Sequence, residues 1–334
     1  MLTKLTGMDV IADIIREHYD LGEVQMPRQL ENVHQRRHRK IVVASDGGTF
    51  LAKTYKNEPE IMDALYFHHN LSSHLKENGL PVAGIQKTRD GHTFICTGNL
   101  ILELQEFLEG GQMPVTGETL RVSGEALGLF HRVCQGLPAP LRDARKWRFS
   151  DVPEDTYAAF YELAAKERDD DRLVTHHEKI REFLKAADEV LDIGKRYTFQ
   201  TGIIHGDWHS GNLLFQGEKL NGIIDMEFSG DGCYLEDISY AVSNLCIRTT
   251  TKALKMGFRL QTLLENYEKH RRLTQAKRIA LYYAVGVKHI TTVCYQTPQV
   301  GGRVAGYTPR QWMALLDYQT RWLSEQAEKE RSGS

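Results

Sequence analysis

Asp207, Asn212 and Asp225 lie close together in the segment TGIIHGDWHSGNLLFQGEKLNGIIDMEFSGDGCYLEDISY, residues 201–240. Two carboxylates and an amide are hard oxygen donors of the kind Mg²⁺ prefers. Phosphoryl transfer needs little covalent chemistry from a protein. It needs positioning, a metal to neutralise charge, and a carboxylate to accept the acceptor's proton. Lys53, far upstream, adds a cation able to neutralise nucleotide phosphates.

Short strands must carry these groups. Gly202–Ile204 leads into His205-Gly206-Asp207, and Leu213–Phe215 and Asn221–Ile224 flank the turn Gln216-Gly217-Glu218, so that hairpin is expected to return Asp225 towards Asn212. Upstream, Ile41–Ala44 and Thr49–Tyr55 flank Asp46-Gly47-Gly48, a strong hairpin signal because an Asp-Gly pair accepts positive φ. Lys53 falls on the second of these strands with Leu51 and Tyr55, and the alternation leaves open which face is buried, since Phe50 and Ala52 point the other way.

The spacing of Val10, Ile11, Ile14 and Ile15 predicts an amphipathic helix ahead of this hairpin. Glu60–Lys76, with Ile61, Leu65, Phe67, Leu71 and Leu75, predicts another, closed by Asn78-Gly79 and Pro81. Thr93–Cys96 and Leu100–Leu104 read as a hairpin around Thr97-Gly98-Asn99. Beyond Pro114 the pattern is helical: Val122, Ala126, Leu129 and Val133 form one stripe, and Ile180, Phe183, Leu184, Ala187, Val190 and Leu191 form another, with Gly194 suited to end it. Two late segments, Ile279–Ile290 and Trp312–Leu323, repeat that spacing and read as core helices. The fold class expected is α+β and two-lobed, with a small β-rich lobe over residues 1–103 and a larger, mainly helical lobe over 104–334.

Asp207 and Asn212 are spaced as the catalytic Asp and Asn of the protein-kinase loop HRDLxxxN are. More closely, the chain resembles the aminoglycoside phosphotransferase-like kinase superfamily, which includes choline, homoserine and methylthioribose kinases and spore-coat kinase-like proteins. His205-Gly206-Asp207-Trp208-His209-Ser210-Gly211-Asn212 resembles its HGDxHxGN loop, and Ile224-Asp225 resembles its metal-binding element. Gly232–Tyr240 is similar to the stretch that follows, and Ala126–His131 to its ALGxxH helix. The resemblance implies a two-lobed protein-kinase-like fold that uses ATP and Mg²⁺. It implies Asp207 as catalytic base, Asn212 and Asp225 as metal ligands, Glu227 as an assistant at the metal, and Asp237 as a brace for the loop. It also implies that Lys53 contacts phosphates and that the backbone of Glu103, Leu104 and Gln105 is the hinge that binds adenine.

The small lobe departs from that pattern. No GxGxxG precedes Lys53; residues 31–40 are basic and lack glycine, so phosphate cover would come from side chains. For the acidic partner of Lys53, Glu60 is the first choice and Asp63 the second, while one register places His68 there. Arg36–Lys40 reads equally as an anion site or a solvated strand edge. Trp208 reads equally as a stacking platform or a packed side chain. His205 and His209 read as braces rather than zinc ligands, and the pairs His68-His69 and His176-His177 as solvated positions. The run Glu167–Arg172 reads as an exposed helix end.

Composition excludes several classes. With 42 basic and 44 acidic residues, the net charge of -2 gives no reason to expect nucleic acid or membrane partners. The five cysteines form no CxxC pair, which argues against a zinc site or disulfide framework and for a reducing, cytoplasmic compartment. No apolar run reaches the roughly 20 residues of a membrane helix. The expectation is therefore a small-molecule hydroxyl substrate, with oligomeric state left open. The alternatives are a kinase-like scaffold without turnover, prompted by the absent Gly-rich loop, and a peptide hydroxyl kinase. The latter is disfavoured because few residues separate Asp225 from Asp237 and no APE element follows. A hydrolase built on Ser210 or Cys233 lacks the GxSxG elbow.

Overall fold

The computed structural model describes residues 7–31, 38–140, 152–192, 199–248, 250 and 252–333. Residues 32–37, which hold most of the basic segment, and Gly194 lie outside the described residues.

The chain divides into two compact units, 1–111 with 214–227 and 112–213 with 228–334. A division after residue 103 would cut a strand, Leu100–Glu106, that is continuous in the structure. The sequence also gives no sign that the hairpin at 214–227 joins the first unit.

The first unit opens with α1 (Met8–His18) and contains the strands β1 (Arg28–Gln29), β2 (Arg39–Ser45), β3 (Gly48–Lys56), β4 (Phe94–Thr97) and β5 (Leu100–Glu106), with α2 (Pro59–Glu77) between β3 and β4. The strands form one antiparallel sheet in the order β1-β2-β3-β5-β4. The turn at Asp46-Gly47 fixes the β2–β3 register, pairing Ser45 with Gly48 and therefore Lys40 with Lys53. Period-two alternation then sorts the residues. Ile41, Val43, Phe50, Ala52, Leu102 and Leu104 form a core with Ile11, Ile15 and Tyr19. That decides which face of β3 is buried and leaves Lys40, Lys53 and Glu103 on the opposite one.

α2 starts with Pro59 at its first turn and packs Leu65 against Phe94 and Ile101, with Tyr55 beside them. In the same unit β8 (Leu213–Gln216) and β9 (Lys219–Ile223) form the hairpin expected around Gly217, and the Ile223 N–H donates to the Pro81 carbonyl at 2.8 Å.

The short β6 (Gly111–Gln112) marks the passage to the second unit, whose helices are α3 (Gly117–Val133), α4 (Glu154–Glu167), α5 (Asp171–Leu191), α6 (Tyr234–Val242), α7 (Ala253–Tyr267), α8 (Gln275–Gln299) and α9 (Pro309–Ser332). β7 (Thr201–Ile204) and β10 (Gly230–Cys233) pair antiparallel among them. The packed face of α3 is rotated from the expected stripe: Leu120, Leu127, Phe130 and His131 are buried, whereas of the stripe only Ala126 is buried and Val122, Leu129 and Val133 are half-buried. Gly124 and Gly128 cause the rotation. A Cβ on either would lie 2.2 Å from the Leu263 carbonyl oxygen or 2.5 Å from that of Tyr267, so both glycines face α7 at close approach. α5 follows expectation, with Ile180, Phe183, Ala187 and Leu191 buried. The charge run at 167–172 is the joint between α4 and α5, where Asp170 caps α5 and binds Arg310. No described helix is long and apolar enough to cross a membrane.

Candidate active site

β7 delivers the chain into a tight loop over residues 205–212. Gly206 takes φ +80°, a region glycine enters without penalty, and a single 3₁₀ turn at Ser210–Asn212 closes the loop. His209 caps that turn by accepting the Gly211 N–H at its Nδ1, 2.9 Å away. Asn212 is thereby turned back on Asp207: its Nδ2 donates to the Asp207 carbonyl oxygen at 3.0 Å and to Oδ2 at 2.9 Å. Its Oδ1 is left as the amide's remaining oxygen.

The loop rests on a buried carboxylate. β10 lies beside β7 and runs directly into α6, which places Asp237 beneath the loop. Asp237 is fully buried at its side chain and accepts from the His205 N–H at 2.8 Å, the Gly206 N–H at 3.0 Å and His131 Nε2 at 2.9 Å. Burial alone would raise its pKa. The His131 hydrogen bond, the His131 and His205 charges and the His205 N–H outweigh burial and hold it below the usual carboxylate range. His131, the histidine of the ALGxxH helix, is itself fixed through Nδ1 by the Tyr267 hydroxyl at 2.9 Å.

Trp208 is packed, not displayed: it is buried, and its Nε1–H donates to Ser123 Oγ at 3.0 Å. His205 is also buried and accepts the Asp207 N–H at 3.2 Å. Asp207 has His209 Nε2 at 3.4 Å and the Tyr240 hydroxyl in its neighbourhood. Burial opposes its charge, but these two partners and the His205 charge hold the carboxyl at about 2, so it is ionised at neutral pH.

Asp225, Lys53 and Glu103 belong to the other unit. Asp225 adopts φ +58°, a left-handed conformation that a non-glycine residue holds at some cost and that recurs at functional sites. Lys40 Nζ lies 2.8 Å from both Asp225 oxygens. Burial would raise Asp225, but Lys53, Lys40 and His38 together lower it. The basic run thus supplies Lys40 as a charge partner rather than a solvated strand edge. Glu227, expected near a metal, has His38 Nδ1 at 4.0 Å.

The partner of Lys53 differs from expectation. Glu60 is exposed in the first turn of α2, and the carboxylate that faces Lys53, at 4.0 Å, is Glu103. Glu103 is buried and also takes the Tyr55 hydroxyl at 2.7 Å and His69 Nε2 at 2.5 Å. Against the cost of burial, the bond to His69, the Lys53 and His69 charges and the Tyr55 hydroxyl hold it at about 2. His69 is accordingly a buried partner, not a solvated residue. His176 likewise binds Asp317 at 2.7 Å, and His177 lies against Tyr157 and Tyr161.

The stretch expected as the hinge, Glu103–Gln105, lies within the sheet. Glu103 pairs with both Lys53 and Phe94, the Leu104 carbonyl accepts the Gln86 N–H at 2.8 Å, and Gln105 pairs with Leu51 and Ile85. β5 ends only at Glu106, and Phe107–Glu109 follow it along an open pocket of about 610 Å³ that is also lined by Arg28, Val42, Thr49, Gln216 and Asn221.

This architecture has known counterparts. The sequence matches the phosphotransferase enzyme family (APH) over residues 31–273, and the chain belongs to that family. Among curated relatives, the homoserine kinase of Nitrobacter hamburgensis is 26% identical over 281 residues, covering 82% of this chain and 78% of its own. That of Janthinobacterium sp. is 23% identical over 269 residues, covering 78% and 77%. Among solved structures, an aminoglycoside phosphotransferase from Alicyclobacillus acidocaldarius superposes with a TM-score of 0.69 at 14% identity, covering 100% of this chain and 99% of that one. The amicoumacin kinase hAmiN, in complex with AMP-PNP and Ca²⁺, gives 0.62 at 12% identity, covering 97% and 95%. The fold is therefore the two-lobed, protein-kinase-like one.

Proposed function

We infer that the protein transfers the γ-phosphoryl group of ATP to a hydroxyl of a small molecule. The observation that carries the reading is the Asp207–Asn212 loop, a carboxylate kept ionised and aimed by a side-chain amide, with the whole loop hung on buried Asp237. In this reading Asp207 orients the acceptor hydroxyl and takes its proton as the new P–O bond forms and the bond to ADP breaks. Relatives named homoserine kinase, and fold neighbours holding AMP-PNP or ADP with a small molecule, support the same reading.

The residues fit a divalent metal. Asn212 keeps Oδ1 after spending Nδ2 on Asp207, and Asp225 is an ionised carboxylate, so both offer the hard oxygens Mg²⁺ takes. When bound, Mg²⁺ would neutralise charge on the triphosphate. Lys40 must leave the Asp225 oxygens before that carboxylate can serve a metal. Lys53, steadied by Glu103, is the cation assigned to the phosphates.

Thermal shift tests the nucleotide half of this reading, because a ligand selective for the folded state raises its stability. ATP should raise Tm in a Mg²⁺-dependent way, and Asp225→Ala should lose that dependence. No shift with millimolar ATP or GTP in the presence of Mg²⁺ would contradict the reading.

A further inference from the structure

The surroundings of Asp207 carry information about the acceptor that the reaction type does not. Tyr240, on α6, lies beside the Asp207 carboxylate, whose charge adds to burial in raising the Tyr240 pKa. Lys288, reaching from α8, sits over the Tyr240 ring with Nζ 4.6 Å from the centroid. One turn past Tyr240, Asn244 donates to the Tyr240 carbonyl at 3.0 Å, and its own Oδ1 accepts from Arg248 Nη1 at 3.1 Å. Tyr240 is thus flanked by two cations, both half-buried.

Arg248 is held without an acid. Arg278, Arg310 and Arg121 of this unit are pinned by Glu268, Asp170 and Glu118, whereas Arg248, like Arg271 on Gln135 and Gln200, is held by neutral amides; of these two, Arg248 is the one joined to Tyr240 through Asn244. Arg248 has two neutral amides, Asn244 and Gln296, and no carboxylate within ion-pair distance among the described residues. Those amides use two of its five N–H groups and leave three. A guanidinium partly withdrawn from water and unmatched by an anion is costly to keep, and burial pulls its pKa below the ordinary value. Its backbone is special too. The Arg248 N–H bonds to the Ser243 carbonyl at 2.9 Å, closing a π-helical turn over Ser243–Ile247, and such turns are enriched at functional sites.

We propose that the acceptor carries a carboxylate in addition to its reacting hydroxyl, and that Arg248 and Lys288 receive that carboxylate beside Asp207. The inference rests on the kinase reading above and adds the chemical class of the substrate: a hydroxy acid or hydroxy amino acid. Amide-held Arg248 then gains its missing anion only when the acceptor is bound. An acceptor built of ammonium groups, such as an aminoglycoside or choline, meets two like charges at the same place.

The test compares matched acceptors in the presence of ATP and Mg²⁺: L-homoserine with its amide, glycerate with glyceramide and with glycerol phosphate, and choline as the cation. Wild-type kcat/KM should favour each acid over its amide by on the order of 10- to 100-fold, the size of a charge-assisted bidentate contact. In Arg248→Met that preference should collapse towards one, mainly through KM, and Arg248→Lys should restore part of it. Lys288→Met, at a position away from the π-turn, should narrow the preference as well, and it remains informative if Arg248→Met fails to fold. Equal use of acid and amide, a preference for the phosphate or for choline, or an acid preference intact in both charge-removing variants would overturn the inference while leaving the kinase reading in place. So would nucleotide binding in which no carboxylate compound raises Tm or accepts phosphate. Failure of nucleotide binding itself would instead remove the reading on which the inference rests.

Discussion

Replacing Asp237 by Asn should damage the protein twice, once in stability and once in catalysis. The carboxylate is fully buried and accepts three N–H bonds, from His205, Gly206 and His131, at 2.8 to 3.0 Å. Asparagine keeps the shape but removes the charge, and its NH₂ group must face one of those donors. Breaking one partner of a buried charged cluster costs about 3–5 kcal/mol, against a total stability of roughly 5–15 kcal/mol. For a 334-residue chain each kcal/mol lowers Tm by about 1–2 °C, so the expected fall is about 3–10 °C. The His205–Asn212 loop loses its anchor at the same time, and a misplacement of about 1 Å costs on the order of 100-fold in rate. Calorimetry with urea unfolding gives the first quantity and steady-state phosphate transfer gives the second. His131→Ala leaves the carboxylate charged with its two backbone donors, so its effect should be smaller, and the double variant should fall short of the sum of the two. A Tm drop under about 2 °C together with turnover within about threefold of wild type would show that Asp237 does not hold the loop.

Glu103 gives a pH prediction. Its folded value of about 2 lies below the ordinary 4.5, so the unfolded chain binds the proton more readily. Its contribution is complete above about pH 4.5, falls away towards pH 2 and amounts to about 3 kcal/mol. Glu103→Gln should flatten the stability curve across that window, measured by urea unfolding, and should weaken ATP binding by releasing Lys53; an unchanged acid limb would refute the assignment. Gly128→Ala should push α3 off α7, because the added methyl would lie 2.5 Å from a backbone oxygen that cannot swing away. The cost should be about 1–3 kcal/mol by denaturation, with a loss of turnover because His131 is one turn on; a neutral substitution would show that the close approach is not structural.

How much of this was legible in the sequence varied with the range of the interaction. The Asp46-Gly47 turn, Asn78-Gly79 at the end of α2 and the loop motif at 205–212 are local signals, and the elements formed where they pointed. The same turn also held the Lys40–Lys53 pairing, since counting outward from Ser45 and Gly48 places the two lysines opposite one another. What local reading missed was long-range partnership. Glu103 stands alone as an acid in the apolar run Leu100–Leu104, a sign that it needed a buried cation, yet only the sheet register identifies Lys53 and only the packing of α2 brings in His69. The stripe on α3 was misjudged because glycine registers as the absence of a side chain, although two of them set the packed face. Arg248 gave no signal at all, because its significance lies in its link to Tyr240 through Asn244 and in the amides of Asn244 and Gln296 that hold it, which only the folded chain brings together.

The central claim is that Asp207 is the base in a phosphoryl transfer. The most direct measurement follows isotope-labelled γ-phosphate from ATP to a hydroxyl acceptor in wild type and Asp207→Ala, with nucleotide binding monitored in parallel by thermal shift. The account predicts transfer in wild type and its loss in the variant by at least about 100-fold, the low end of what a positioned base supplies, with the nucleotide shift largely retained. Near-normal transfer in a folded Asp207→Ala protein would contradict it.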